Sequence, residues 1–306
     1  MTDVALIFPG QGAQKPGMGR EFYESSPVAR DIFDRADRIL GNDLSAVILN
    51  GPAERLTETA FCQPAILTFS IAAWEALRAH PKFRGLNVRF TAGLSLGEYS
   101  ALTAGGSLDF SDGLKLVERR SFFMEEAGRL EQGGMAAIIG FDRGRLQEIC
   151  SQTGAQVANY NAPDQIVITG RRKNVEEAGR LIKNEGARAV IPLEVSGAFH
   201  SSLMQPAAEK FEKELQKAAI RSAQIAVVSN VDALPHGSVE DIRKKLARQI
   251  VSSVQWEPSV RFMANQGVTQ FIEIGPGKVL KGLIRKIDSN LKVFNVETPQ
   301  DIEQLP

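Results

Sequence analysis

The 306-residue chain predicts an α/β fold: a parallel sheet interleaved with helices, carrying a smaller inserted βαββαβ subdomain. Three observations carry this. The apolar run Val4–Phe8 passes straight into the tight loop Pro9-Gly10-Gln11-Gly12-Ala13-Gln14 and then into helical material. A second strand-like run, Val88–Ala92, ends in Gly93-Leu94-Ser95-Leu96-Gly97 and is followed by the helix-like Glu98-Tyr99-Ser100-Ala101-Leu102. Between Gly133-Gly134 and Val195, strand and helix patterns alternate in the order β, α, β, β, α, β.

Taken in order, the first strand has no basic stretch before it and no long apolar run after it, so it reads as a strand rather than a signal peptide. Helical patterns continue to about Leu77 and stop near His80-Pro81. Leu114–Ala127 is amphipathic. Past Gly133-Gly134 come a strand Met135–Ile139 and a helix Arg143–Gln152, with Leu146, Ile149 and Cys150 at helical spacing and Gly154 as its cap. Strands Gln156–Asn159 and Gln165–Thr169 flank the turn Asn161-Ala162-Pro163-Asp164. A helix is expected from Asn174, with Glu177 as its capping-box partner and Val175, Ala178, Leu181 and Ile182 on the apolar face. Ala189–Val195 is the last strand of this ferredoxin-like unit. Larger α/β patterns then resume: strands Gln224–Val228 and Gln270–Ile274, with a helix Asp241–Ser252 behind a Ser238 cap. The expected division is residues 1–132 and 200–306 for the large domain and 133–199 for the insert.

Composition narrows the function. With 36 basic and 36 acidic side chains, nucleic acid and anionic membrane surfaces are not expected partners. Cys62 and Cys150 suit neither a disulfide framework nor a zinc site, and no metal is expected. No apolar run long enough to span a bilayer is expected, which points to a cytoplasmic protein.

The chemistry centres on Ser95. A serine on a sharp strand-to-helix turn is exposed at the positive end of the helix, with the Leu96 N–H aimed at any oxyanion that forms. An ordinary glycine turn is the competing reading. Serine needs a base, and only three histidines are present. His80 stands at a helix end and His236 in a turn, both read as surface positions. His200 follows the insert's last strand, where the two domains meet. Arg120 falls on the apolar side of its helix and Arg119 on the water side. A buried arginine demands an anion, which is either an internal carboxylate or a substrate carboxylate. The Gln11 N–H could complete an oxyanion hole with Leu96, against the alternative of a plain glycine turn. Gln249 could accept the His200 N–H through its side-chain carbonyl, with a surface glutamine as the alternative.

Phe8-Pro9-Gly10-Gln11-Gly12, Gln63-Pro64-Ala65, Gly93–Gly97 with Glu98-Tyr99, Arg120 with Met124 four residues on, Gly197-Ala198-Phe199-His200, Ser229-Asn230-Val231, Gln249 and Gly275-Pro276-Gly277 stand together in this order. Over nearly its whole length the chain resembles the malonyl-CoA:acyl-carrier-protein transacylase family. The resemblance implies an α/β-hydrolase-like domain with a ferredoxin-like insert. It implies Ser95 as nucleophile, His200 as base, the Gln249 carbonyl orienting His200, Arg120 on the malonyl carboxylate, Gln11 and Leu96 as the oxyanion hole, and Gln63 ordering the site. Phe199 before His200 resembles malonyl-selective members. The chain departs from the family at Leu94, where histidine is usual, at Ser121, where glycine is frequent, and at Glu125, where glutamine is common.

The implied reaction is ping-pong transfer of malonyl from malonyl-CoA to the phosphopantetheine thiol of an acyl carrier protein. No cofactor beyond the two pantetheine-bearing substrates is implied, and a monomer is expected. The alternatives are a discrete acyltransferase serving a polyketide synthase, a thioesterase or acyl hydrolase, and a non-catalytic carrier-binding module.

Overall fold

A computed structural model describes residues 1–195 and 197–306. Nine strands lie in these residues: β1 (Thr2–Phe8), β2 (Leu86–Gly93), β3 (Gly133–Ile139), β4 (Gln156–Ala162), β5 (Gln165–Arg171), β6 (Ala189–Pro192), β7 (Ala226–Val228), β8 (Gln270–Ile274) and β9 (Lys292–Val296). Val4 to Phe8 are all apolar and fully buried. A strand with no polar face belongs in the middle of a parallel sheet covered on both sides, and β1 sits there, in the order β7-β2-β1-β8-β9. Register pairs Phe8 with Gly93 and Ile7 with Glu273, so the carboxyl ends of β1, β2 and β8 share one edge. Open parallel sheets bind ligands at that edge.

The remaining strands form an antiparallel sheet in the order β4-β5-β3-β6, the ferredoxin-like arrangement expected from the sequence. Strand alternation divides its two faces. Ala136 and Ile138 pack with Leu146, Ile149 and Ile182 from the subdomain's own helices, Arg143–Thr153 and Arg172–Asn184. Met135 and Ala137 face the other way, into the large core.

Several local expectations are corrected. The second helix of this unit starts at Arg172, and no side chain caps it. Glu177 pairs with Arg180, one turn along, and Asn174 donates to the Gly154 carbonyl. β6 ends at Pro192; Leu193 keeps one bond to Met135, and Leu193 and Val195 then line a cavity. β7 is shortened to three residues because the Gln224 and Ile225 N–H groups both donate to the Gly105 carbonyl. The helix after Ser238 ends at Gln249. β9 is an edge strand the sequence reading did not assign. One helix, Thr59–Ala79, is long and apolar enough to cross a membrane, with mean hydropathy 1.3, contrary to expectation. Its most apolar stretch is 78% buried inside this fold, as in the core helix of a globular domain.

Glycine is required where the turn after β2 meets β1. A Cβ on Gly97 would lie 2.1 Å from the Phe8 carbonyl oxygen, and one on Gly93 would lie 2.0 Å from the Gly97 carbonyl. Backbone cannot yield as a side chain can. Gly97→Ala is therefore expected to cost about 3–5 kcal/mol, at the upper end of single substitutions. Thermal unfolding of the variant checks this, and a melting temperature within a few degrees of the parent would contradict it.

Candidate active site

Ser95 stands between β2 and the helix Gly97–Ala104 with φ of 53°. His200 has φ of 59°, and Ala233 is the other described non-glycine residue at positive φ. Left-handed backbone at a bulky residue is held by its surroundings and concentrates at functional sites. Asn230 supplies the hold for the serine. Its Oδ1 accepts the Ser95 N–H at 2.6 Å, while its Nδ2 donates to the Gly93 carbonyl at 2.7 Å.

The two left-handed residues meet. Ser95 Oγ lies 2.7 Å from His200 Nε2, and His200 Nδ1 lies 2.9 Å from the backbone carbonyl of Gln249. A carbonyl only accepts, so the proton sits on Nδ1 and the Nε2 lone pair faces the serine hydroxyl. The expected partner for His200 was the Gln249 side chain, and this is corrected. Gln249 closes a helix, where the last carbonyls lack intrahelical partners and are free to accept. Its side chain is itself buried, not on the surface. Nε2 donates to the Ser95 carbonyl at 3.0 Å and Glu98 Oε2 at 2.6 Å, and Oε1 accepts from Arg120 at 3.1 Å.

Arg120 is 1% exposed, on the helix Phe110–Leu130, while Arg119 faces water as the helix phase predicts. Its Nη1 donates to Gln63 Oε1 at 2.6 Å and its Nη2 to Ser95 Oγ at 3.1 Å, and the guanidinium lies 5.5 Å from the centre of the Tyr99 ring. Among the described residues no carboxylate forms an ion pair with it; all its hydrogen-bond acceptors are neutral. Burial holds its pKa below the ordinary arginine value.

These groups line a cavity of about 290 Å³. Gln11, Leu96, Gln63, Ser95, Arg120 and His200 all border it, and Asn159, Asn161 and Gln165 of the insert add further polar groups. Met124, Phe199 and residues of the insert, among them Met135 and Val167, supply apolar wall. The Gln11 and Leu96 N–H groups make no backbone hydrogen bond among the described residues. Every expected site residue thus borders one cavity except Gln249, which braces it from behind.

Three residues carried no assigned role in the sequence reading. Asn230 anchors the serine backbone. Glu98 and His236 form a wholly buried pair, with Nε2 2.8 Å from Oε1. His236 is therefore no surface residue: its ring turns inward onto Glu98, while Leu234 and Gly237 of the same turn stay exposed. His80 does stand at a helix end, where its ring accepts the Lys82 N–H.

Burial first, and the Arg120 charge second, push His200 down from 6.5 to about 4. The histidine is thus a neutral base across the neutral range. The acid limb of serine acylation is expected near pH 4 rather than near the free-histidine value of 6.5. Between those two values the unfolded chain binds more protons than the folded one. His200 therefore contributes stability that is complete above pH 6.5 and is lost as pH falls towards about 4. A pH profile of acylation rate checks the limb, and a limb at the free-histidine value would contradict it.

A parallel sheet with an elbow serine bonded to a histidine defines a class: enzymes that pass acyl groups through a serine ester. Residues 5–298 match the acyl transferase domain family. The chain is 47% identical to the malonyl CoA-acyl carrier protein transacylase of Bacillus subtilis, over 99% of this chain and 96% of that protein. It is 42% identical to that of Salmonella typhimurium, over 98% and 97%. Among solved structures, the malonyl CoA-acyl carrier protein transacylase of Coxiella burnetii superposes with TM-score 0.95 at 36% identity, covering 99% of this chain and 96% of that one. A malonyl-transacylase in complex with its type II polyketide acyl-carrier protein superposes with TM-score 0.94 at 38% identity, covering 99% and 98%. The chain belongs to the acyl transferase domain family, among its malonyl-CoA–acyl carrier protein transacylases.

Proposed function

We propose that this chain transfers a malonyl group from coenzyme A to the phosphopantetheine thiol of an acyl carrier protein, by way of a malonyl ester on Ser95. The observation that carries the reading is Arg120: a buried cation with no ion-paired carboxylate among the described residues, bonded to the serine oxygen and bordering the cavity. A buried guanidinium that no carboxylate touches directly suits a ligand that brings one to it, and the free carboxylate of malonyl is such a ligand.

His200 takes the Ser95 proton as Oγ attacks the thioester carbon. The Gln249 carbonyl holds the imidazole in the required tautomer and disperses the positive charge that develops. The Gln11 and Leu96 N–H groups stabilise the tetrahedral oxyanion at the helix terminus. The thioester C–S bond then breaks, and coenzyme A leaves with the proton from His200. The carrier thiol enters, gives its proton to His200, attacks the ester carbon, and Ser95 departs as the restored alcohol. Arg120, steadied by Gln63, holds the acyl group at its far end, so the reacting carbon keeps one pose through both halves. Phe199 and Met124 bound the space beside the malonyl methylene, where an α-methyl group would have to fit. No prosthetic group enters any of these steps. We place the enzyme in the cytoplasm as a monomer. We take the chain to divide into a large domain (1–132, 200–306) and an inserted subdomain (133–199), with the cavity between them.

Product analysis tests the reading. Incubation with malonyl-CoA and a phosphopantetheinylated carrier is expected to give malonyl-carrier as the main product. Free malonate as the main product would identify a hydrolase instead. Fatty-acid and polyketide carriers in competition identify the pathway served.

A further inference from the structure

Glu98 is a buried acid that the reaction scheme leaves unused. The helix Gly97–Ala104 contains no other charged residue, and Glu98 is 0% exposed. Its Oε1 takes the His236 Nε2 at 2.8 Å; its Oε2 accepts Gln249 Nε2 at 2.6 Å and the Asn230 N–H at 3.2 Å. The bond to Glu98 is the only one the His236 ring makes among the described residues.

This arrangement fixes the Gln249 amide. An amide can present either its oxygen or its nitrogen to a neighbour, but a carboxylate accepts only the N–H end. With Nε2 held by Glu98, Oε1 must face the other way, where it accepts Arg120 Nη2 at 3.1 Å. Glu98 is thereby the counter-charge of Arg120 at one remove. A carboxylate touching the guanidinium directly would occupy the fork that a substrate needs. One amide between them brings the negative charge near while every direct acceptor on the guanidinium stays neutral, and Nε has no partner among the described residues.

We propose that Glu98, clamped by His236, is a positioning residue that sets the Arg120 guanidinium for the substrate carboxylate through the Gln249 amide. This rests on the reading of Arg120 as the carboxylate site. The test compares kcat/KM for malonyl-CoA and acetyl-CoA, since acetyl has no carboxylate to place. Glu98→Gln is expected to lower the malonyl value about 10- to 100-fold, mainly through KM, while the acetyl value changes by less than about threefold. His236→Leu removes the clamp and is expected to act in the same direction. His236→Gln restores an N–H donor to Glu98 and is expected to recover the malonyl preference. If Glu98→Gln does not fold, the two His236 variants decide the matter.

Equal losses on both substrates would reduce Glu98 to a structural role and overturn the proposal. Arg120→Ala separates the two levels. If it loses the malonyl preference while folded His236→Leu keeps it, only the Glu98 proposal falls. If it keeps the preference, the carboxylate site and the Glu98 proposal fall together.

Discussion

Ser95→Ala is expected to abolish covalent loading by malonyl-CoA, with transfer to the carrier falling by about 10⁴-fold or more. The fold should survive, because the contacts that hold the left-handed turn are backbone ones. Asn230 accepts the Ser95 N–H and Gln249 donates to the Ser95 carbonyl, and neither bond involves Oγ. The substitution removes only the hydroxyl, leaving His200 Nε2 without a proton to take and Arg120 Nη2 with one acceptor fewer. Nothing else described stands ready to replace it. Cys62 and Cys150 are buried, and burial pushes their thiols up to about 12 and about 11, so neither offers a thiolate. Intact-mass measurement after incubation with malonyl-CoA should show one added malonyl group on the parent and none on the variant. Loading that persists on a folded variant would sink the ester mechanism.

The parts of this architecture legible in the sequence were those with a local signature. β1 announced itself by five consecutive apolar residues, the serine turn by its glycines, and the insert by its alternation of periods. Arg120 was placed on its buried face by helix phase alone. What that phase left open was its partner, because a partner from another helix has no fixed spacing in the sequence. The structure supplies neutral acceptors from three separate elements, Gln63, Ser95 and Gln249. Gln249 misled for a related reason. Helix phase brings a residue to a site but does not say whether its side chain or its backbone does the work. Here the terminal carbonyl, spare because the helix ends, meets the histidine.

Leu234-Pro235-His236-Gly237 has the composition of a solvent turn, and that composition points His236 outward when the structure turns its ring in. Its burial follows from a long-range bond to Glu98, 138 residues away. A signal did exist at the other end of that bond. Glu98 stands in the first turn of a helix whose remaining residues carry no charge, directly behind the serine, and a lone acid on a buried helix requires a partner. Strand ends were lost where backbone groups found acceptors elsewhere, as at Gly105, which no propensity encodes.

Arg120→Ala is expected to lower kcat/KM for malonyl-CoA by about 100- to 1,000-fold, the range for removing one partner of a buried charged hydrogen-bonded pair. Acetyl-CoA should change only a few-fold, because it presents no carboxylate. Lysine is not a conservative replacement here. It keeps the charge, but as a single point with three rotatable donors, whereas the guanidinium is a planar fork spanning Gln63, Ser95 and Gln249 at once. Arg120→Lys should therefore recover part of the malonyl preference without restoring the full rate. A second, independent readout is built into the site. The Arg120 charge is, after burial, the main force holding the His200 pKa down. Removing it makes the imidazolium less costly, so the acid limb of acylation should move upward from about 4 in Arg120→Ala and stay nearer its original place in Arg120→Lys. A merely structural arginine would move neither substrate preference nor acid limb in this paired way. If Arg120→Ala lowered malonyl and acetyl turnover alike and left the acid limb where it stands, the guanidinium would be a brace for the fold, and the choice of a carboxylated acyl group would have to come from another part of the cavity.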